Sequence, residues 1–303
     1  MGGGRRRRSD DHRRIGKDLE SAGEMSDRQP RARSVTMDRA RITRMLSKAR
    51  ESLTMTEYGA IALDVGGVIY YDEPFELAWL QATYDLLRSD DPAITRSVFI
   101  EHVERFYHSP DDGAAGRTLL HSPAAARAWA QIRRAWHELA QEMPGAVRAA
   151  VTLAREVPTV IVANQPPECA RVLDAWGLTE ACAGVFLDSL VGVAKPDPAL
   201  LGIALEHLGV APADLLVVGN RHDHDVLPAR ALGCPVAFVR ADPGYRPPSG
   251  VHPDLIRAYT SLRAVRTAPP AGDDERVSVV ATLAALARSS ATGLRPVTRA
   301  ESS

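Results

Sequence analysis

Short apolar runs alternate with stretches of helical periodicity over most of the chain. Apolar, often β-branched runs occur at residues 58–65, 159–163, 184–187, 215–218 and 236–239, and each has the length of one buried strand. The segments between them carry apolar residues at helical spacing. Strands that alternate with helices form a parallel sheet covered by helices. The pattern therefore predicts an α/β fold, a Rossmann-like doubly wound parallel sheet.

A long block of helical periodicity, residues 73–143, interrupts this alternation after the first strand. Proline stands at residues 74, 92 and 123, at first-turn positions that helices tolerate. We expect the block to form a helical cap over the strand ends. The other expected regions are an α/β core at 57–72 and 144–265, and a linker, a short helix at about 276–288 and a tail within 266–303.

Charge is distributed unevenly along the 303 residues. Residues 1–50 contain 15 Lys and Arg against 7 Asp and Glu, which leaves a net charge of −9 on the rest of a chain whose total is −1. This acidic body makes nucleic acid an unlikely partner. Residues 1–54 lack apolar periodicity and are predicted to be a disordered basic arm. We favour Met37 or Met55 as the natural start, with the arm upstream of it.

Targeting signals and cysteine patterns are absent from the sequence. No apolar run approaches the length of a membrane span, and the N-terminus lacks the apolar core of a signal peptide. The three cysteines, Cys169, Cys182 and Cys234, show no Cys-x-x-Cys spacing, so neither a disulfide framework nor a zinc cluster is indicated. We expect a cytoplasmic protein that acts on a small-molecule substrate and has no membrane partner. The sequence does not indicate its oligomeric state.

Polar residues follow the predicted strands at their carboxyl ends. Asp64 ends the first strand, Asn164 follows the second, and Asn220 and Asp225 follow the fourth. Ligands bind at the carboxyl ends of strands in open α/β sheets. Polar residues that recur at this position predict a functional site along one edge of the sheet.

Two further features suit that site to an anion. Gly66 and Gly67, just after Asp64, permit positive φ and a close approach of backbone amides to an anion. Lys195 is the only lysine outside the first 50 residues, in a chain that otherwise uses arginine. A retained lysine indicates a need for a compact point charge. Chance placement on an exposed loop is the alternative.

Four segments carry these residues. They read Leu-Asp-Val-Gly-Gly-Val around Asp64, Ala-Asn at Asn164, Ala-Lys-Pro-Asp-Pro around Lys195, and Gly-Asn-Arg-His-Asp-His-Asp ending at Asp225. In this order they resemble the four motifs of the haloacid dehalogenase superfamily of hydrolases, over about residues 57–265. The resemblance implies that Asp64 is the nucleophile and that Lys195 is catalytic. It implies phosphate contacts from Gly66, Gly67, Asn164 and Lys195, and Mg²⁺ held by Asp64, the carbonyl of Gly66, Asn220 and Asp225.

The chain departs from the phosphatase pattern of this family at three positions. Gly66 stands where these phosphatases have a second Asp, Ala163 replaces a Thr or Ser, and Asn220 replaces an acidic residue. The missing carboxylate would protonate the leaving group and activate water, which typically contributes about 10²–10⁴-fold. We expect the enzyme either to favour good leaving groups or to borrow an acid from His222, His224 or the cap. Restoring the carboxylate by Gly66→Asp is expected to raise turnover of alkyl phosphates.

Three functions stay open at this point. The favoured one is a Mg²⁺-assisted phosphatase acting on a small phosphorylated metabolite. The second is a dehalogenase-like, metal-independent hydrolase, whose leaving group needs no proton. The third is a catalytically weakened relative that acts as a binding or regulatory protein.

Overall fold

The computed structural model of the chain describes residues 58–108, 118–270 and 274–290. The predicted arm at 1–54 lies outside these residues, as does the end of the predicted tail. Within the described ranges, none of the helices combines the length and apolar character needed to cross a membrane.

Six parallel strands form one sheet in the order β3-β2-β1-β4-β5-β6. The central strand β1 is fully buried, and its last residue, Leu63, pairs with Ile161 on one side and Val218 on the other. From β1 the chain adds β2 and β3 on one side of the sheet, and it then returns to add β4, β5 and β6 on the other side of β1. The strand order therefore reverses beside β1, and open α/β sheets bind ligands at such a switch point. The strands are β1 (Ala60–Leu63), β2 (Thr159–Ala163), β3 (Gly184–Leu187), β4 (Leu215–Gly219), β5 (Val236–Val239) and β6 (Val277–Val280).

Helices cover both faces of this sheet, as the fold prediction required. Ile61 and Leu63 face a cluster that includes Leu153, whereas Ala60 and Ala62 face one that includes Leu200 and Ala204, because successive strand residues point to opposite faces. The predicted doubly wound α/β fold is confirmed. The helices that follow the cap stretch are α5 (Ala146–Glu156), α6 (Glu168–Ala175), α7 (Leu178–Ala181), α8 (Asp188–Val191), α9 (Ala199–Leu208), α10 (Leu227–Leu232), α11 (Pro253–Arg266) and α12 (Leu283–Ser290). Short helical turns lie at Leu119–His121, Pro212–Asp214 and His222–Val226.

The described parts of the stretch predicted as a cap are mainly helical. They form α1 (Glu73–Asp90), α2 (Arg96–His108), α3 (Pro123–Arg134) and α4 (Trp136–Leu139). Helix α1 packs against α3, and the apolar faces of α1 and α2 share a buried cluster with Leu255, Tyr259 and Leu262 of α11. These helices therefore have an apolar core of their own beside the sheet.

The prediction of a helix at about 276–288 is wrong for the first half of that range. Residues Val277–Val280 form β6, which pairs with β5, and the helix begins only at Leu283. A run with three valines in four residues suits a strand, and Thr282 then caps the new helix by accepting a hydrogen bond from the Ala285 N–H at 3.0 Å. Leu283 is buried in the same cluster as Leu153 of α5. This segment therefore belongs to the sheet and its cover.

Candidate active site

A cavity of about 400 Å³ lies at the carboxyl ends of the central strands. Asp64, Asn164, Lys195 and Asn220 line it, although they come from four separate segments of the chain. Aromatic residues from the cap stretch complete the wall, and they are Phe75, Trp129 and Trp136. The structure thus brings together side chains that the sequence placed only at strand ends.

Lys195 joins two carboxylates at the floor of the cavity. Its Nζ lies 2.8 Å from Asp64 Oδ1 and 2.6 Å from Asp225 Oδ1. The Lys195 side chain is 4% exposed, that of Asp64 12% and that of Asp225 1%. Asp225 Oδ2 also accepts the backbone N–H groups of Asn220 and Arg221, each at 2.9 Å. Asp64 and Lys195 line the cavity, and Asp225 lies behind them.

Asn164 positions Lys195. Its amide oxygen accepts the Lys195 N–H at 2.8 Å, and its amide nitrogen donates to the Lys195 carbonyl at 2.7 Å. The amide nitrogen has a second N–H, and Asn164 lines the cavity. Its contact with phosphate stays a prediction.

Burial and charge set the protonation of this group. Burial raises the pKa of Asp64 to about 7, with contributions from Asp225 and Asp72, while Lys195 lowers it. Burial lowers the pKa of Lys195, but the two carboxylates outweigh burial and hold that pKa above its ordinary value. The lysine therefore stays charged across the working pH range. Asp64 becomes an available anion as pH rises through neutrality.

The glycine turn after Asp64 is held by its own backbone. Gly67 has φ of +69°, and its N–H donates to the carbonyl of Tyr70 at 2.7 Å. That donor is already used, and Gly67 is not among the residues that line the cavity. Gly66 does line it. The structure thus brings Gly66, and not Gly67, to the position predicted for phosphate contacts.

Asn220 lies between this turn and an arginine from α11. In the orientation that satisfies its hydrogen bonds, the Asn220 amide nitrogen donates to the Gly66 carbonyl at 3.1 Å. Its amide oxygen then accepts from Arg263 Nη2 at 3.3 Å. Asn220 is completely buried. Its amide and the Gly66 carbonyl are therefore partners of each other.

The residues at the cavity floor offer Mg²⁺ two carboxylates, Asp64 and Asp225. Proteins commonly hold this ion through one or two carboxylates, with waters and the oxygens of a bound phosphate filling the shell. Asp64 and Asp225 are two such carboxylates, and they meet at one lysine Nζ. Among the residues that the structure describes, no cluster of three or more His, Cys, Asp or Glu side chains is arranged to hold a metal. An ion would thus depend on the substrate for part of its shell.

An ion pair joins the cap stretch to the rim of the cavity. Arg133 of α3 donates through Nε and Nη2 to both carboxylate oxygens of Glu168 on α6, at 2.8 and 2.9 Å. Next to it, the rings of Phe75 and Trp136 stack with centroids 4.0 Å apart, and Trp129 meets Trp136 edge-on at 5.6 Å. These three rings pack against one another. They also form one apolar wall of the cavity.

Asp72 and Arg263 are among the cavity residues that reasoning from the sequence missed. Asp72 precedes α1, and Arg263 lies on α11, with 3.1 Å between Arg263 Nη1 and Asp72 Oδ2. Arg263 Nε also lies 3.1 Å from Glu73 Oε1. Asp72, two residues before Pro74, looks in sequence like an ordinary residue at a helix start. No local pattern marks Arg263.

The histidines considered as replacement acids do not serve that role well. His224 lines the cavity, but burial, followed by the charge of Arg221, lowers its pKa to about 4. It is therefore neutral near pH 7. His222 is not among the residues that line the cavity.

Comparison with known proteins agrees with this geometry. The sequence profile of a hydrolase family described as haloacid dehalogenase-like matches residues 58–233, which contain the strand-end residues described above. The chain belongs to the haloacid dehalogenase-like hydrolases. The family resemblance drawn from the four motifs is confirmed.

Individual relatives of this haloacid dehalogenase-like hydrolase match over shorter stretches. It is 36% identical over 94 residues to a phosphoserine phosphatase of Thermus thermophilus, covering 31% of this chain and 37% of that protein. It is 30% identical over 108 residues to a phosphoglycolate phosphatase of Yersinia pestis, covering 35% and 46%. The matches span less than half the length of these curated relatives.

A solved structure shows the same fold. The crystal structure of a HAD phosphatase from Thermococcus onnurineus superposes with a TM-score of 0.50 at 19% identity, covering 67% of this chain and 97% of that one. At this identity the likeness concerns the fold alone.

Proposed function

We propose that this haloacid dehalogenase-like hydrolase is a phosphatase that uses Asp64 as its nucleophile and acts on a small phosphorylated metabolite. The observation that carries the proposal is the buried array of Asp64, Lys195 and Asp225, joined at 2.8 and 2.6 Å beside a cavity of about 400 Å³. The similarity to two phosphatases supports the same class of substrate.

Each residue of this array has a separate role in the proposed reaction. Asp64 lines the cavity, and the carboxylate oxygen that Lys195 does not contact attacks phosphorus, giving a covalent intermediate. Lys195 donates to the other oxygen, Oδ1, and its charge is fixed by two carboxylates, so it stabilises the negative charge that develops on the phosphoryl group. Asn164 and Asp225 hold the lysine in place.

Mg²⁺ is part of this proposal. Asp64 and Asp225 would hold it together with the substrate phosphate, and the ion would neutralise charge on a phosphoryl oxygen. We also propose a cytoplasmic location. The three cysteines are free and buried, as is usual in proteins of a reducing compartment.

The absence of a carboxylate at Gly66 supports a second candidate, dehalogenase-like hydrolysis. A halide leaves without a proton, so such an enzyme does not need the missing acid. The same Asp64 would attack carbon, and no metal would be required. A third function, binding without turnover, is the remaining outcome of the test.

The test is a screen of the purified full chain for release of inorganic phosphate and of halide. Phosphorylated metabolites and 2-haloacids are offered, each with added Mg²⁺ and with EDTA. We expect phosphate release that Asp64→Asn abolishes, while Asp174→Asn, a change to an exposed Asp on α6, leaves it unchanged. Halide release would favour the second candidate. No release of either product would favour a binding protein.

A further inference from the structure

The position of Asp72 explains the glycine at residue 66. A Cβ added to Gly66 would lie 2.1 Å from Asp72 Oδ1 and 2.6 Å from Asp72 Oδ2, far inside the contact distance of any two atoms. The carboxylate of Asp72 therefore fills the space in which a side chain at residue 66 would begin. A side chain at residue 66 would require the Asp72 carboxylate to move.

Charge pairs hold Asp72 in this space. Arg263 Nη1 lies 3.1 Å from Asp72 Oδ2, and Arg263 Nε lies 3.1 Å from Oε1 of the buried Glu73. The Arg263 side chain is 14% exposed and that of Asp72 22%. Asp72 is thus fixed by a buried cation and still reaches the cavity, which it lines together with Asp64 and Gly66.

We propose that Asp72 is the general acid and base of this enzyme, in place of a carboxylate on residue 66. The proposal rests on the phosphatase function proposed above, and names the proton donor that this function lacks. The Asp72 carboxylate lies where a side chain at residue 66 would begin, and it lines the same cavity as Asp64. Arg263 acts as a positioning residue, because it holds Asp72 against the glycine turn.

The reaction has two steps. Asp72 enters the first step as a carboxyl group that carries a solvent-derived proton on Oδ1, while its Oδ2 keeps the contact with Arg263 Nη1. An Asp64 oxygen attacks phosphorus while the bond from phosphorus to the leaving oxygen breaks, and the leaving oxygen takes the proton of the Asp72 carboxyl group. The alcohol departs, and Asp72 is then a carboxylate. A water molecule next gives a proton to Asp72 and attacks phosphorus, which breaks the bond to Asp64. This releases inorganic phosphate and restores both residues.

Asp72→Asn tests the proposal through its dependence on the leaving group. Loss of a general acid should lower kcat/KM for an alkyl phosphate by about 10²–10⁴-fold. An aryl phosphate has a better leaving group and should lose less than about tenfold in its first step. With the aryl substrate, the variant should accumulate protein carrying one extra phosphoryl group, visible by intact-protein mass spectrometry, because hydrolysis of the intermediate lacks its base.

Glu73→Gln is the matched control. It removes the charge of the other carboxylate that pairs with the Arg263 guanidinium, but Glu73 is not among the residues that line the cavity. We expect equal effects of Glu73→Gln on alkyl and aryl substrates and no phosphorylated protein. If Asp72→Asn behaves in the same way, Asp72 is structural and the proposal is wrong.

An exchange variant keeps the test decisive should Asp72→Asn fail to fold. Asp72→Gly vacates the space, and Gly66→Asp refills it from the other position. The double variant should recover alkyl phosphatase activity at least about tenfold above Asp72→Gly alone. A folded double variant without recovery overturns the proposal. Absence of phosphate release from both substrates in the unaltered protein would instead reject the phosphatase function, and this inference with it.

Discussion

Lys195→Met should destabilise the protein strongly, and more so at high pH. The lysine side chain is 4% exposed and neutralises Asp64 and Asp225, which touch the same Nζ. Methionine conserves much of the volume but leaves two buried carboxylates facing each other. Removal of one partner from a buried ion pair costs about 3–5 kcal/mol. For a folded body of this size, that corresponds to a fall in Tm of about 6–20 °C.

The pH dependence follows from the direction of the pKa shift. With the lysine present, burial already raises the pKa of Asp64 to about 7, and without the lysine the pKa rises further. A carboxyl group with a raised pKa in the folded state stabilises the fold when protonated, and that stability is lost as pH rises through the folded-state pKa. At pH 5.5 Asp64 is protonated in both proteins. The variant should therefore lose less stability at pH 5.5 than at pH 8.

The assay is urea unfolding followed by circular dichroism, for both proteins at both pH values. Arg127→Met is the control, because Arg127 pairs with Asp90 at 2.9 Å but both side chains are more than half exposed. Exposed pairs contribute about 0–1 kcal/mol, so the control should be close to the parent protein. A loss below 1 kcal/mol for Lys195→Met at pH 8, or an equal loss at both pH values, would refute the reasoning.

Two further predictions concern the nucleophile and the edge of the sheet. The kcat/KM of phosphate hydrolysis should fall as pH drops through about 7, the raised pKa of Asp64, because the nucleophile must be ionised; a flat profile between pH 5 and 8 would contradict this. Leu283→Ala on α12 should cost about 2–5 kcal/mol in urea unfolding, as for a buried core leucine, since Leu283 is 1% exposed; a cost below 1 kcal/mol would show that this helix is not part of the core.

The fold was predictable because its signals are local. A buried strand can be recognised from its own apolar residues. Because the carboxyl ends of parallel strands lie at the same edge of the sheet, the strand positions alone predict that Asp64, Asn164 and Asn220 lie close together. The error at β6 has the same cause. Residues 277–280 are followed after only two residues by the apolar residues of α12. From the sequence, the two apolar stretches are therefore interpreted as a single helix.

The missing parts of the site were not predictable in this way. The contact between Asp72 and Arg263 joins residues 191 positions apart, one at a helix start and the other within a helix. Nothing in either local sequence indicates that the two side chains meet beside Asp64. Their roles depend on how α1 and α11 pack, which the apolar periodicity of each helix does not specify.

Gly66→Asp is the variant for which the structure reverses the expectation from sequence. By the motif alone, a new carboxylate at residue 66 should raise alkyl phosphate turnover. In the folded protein its Cβ would lie 2.1 Å from Asp72 Oδ1, so Asp72 must leave its pair with Arg263. We therefore expect the single variant to lose about 1–3 kcal/mol of stability, as for other overpacked sites, and to lose alkyl phosphatase activity. Melting curves and alkyl phosphate assays beside the Gly66→Asp, Asp72→Gly double variant check this. Higher turnover by the single variant would mean that Asp72 yields its space easily and is not the acid.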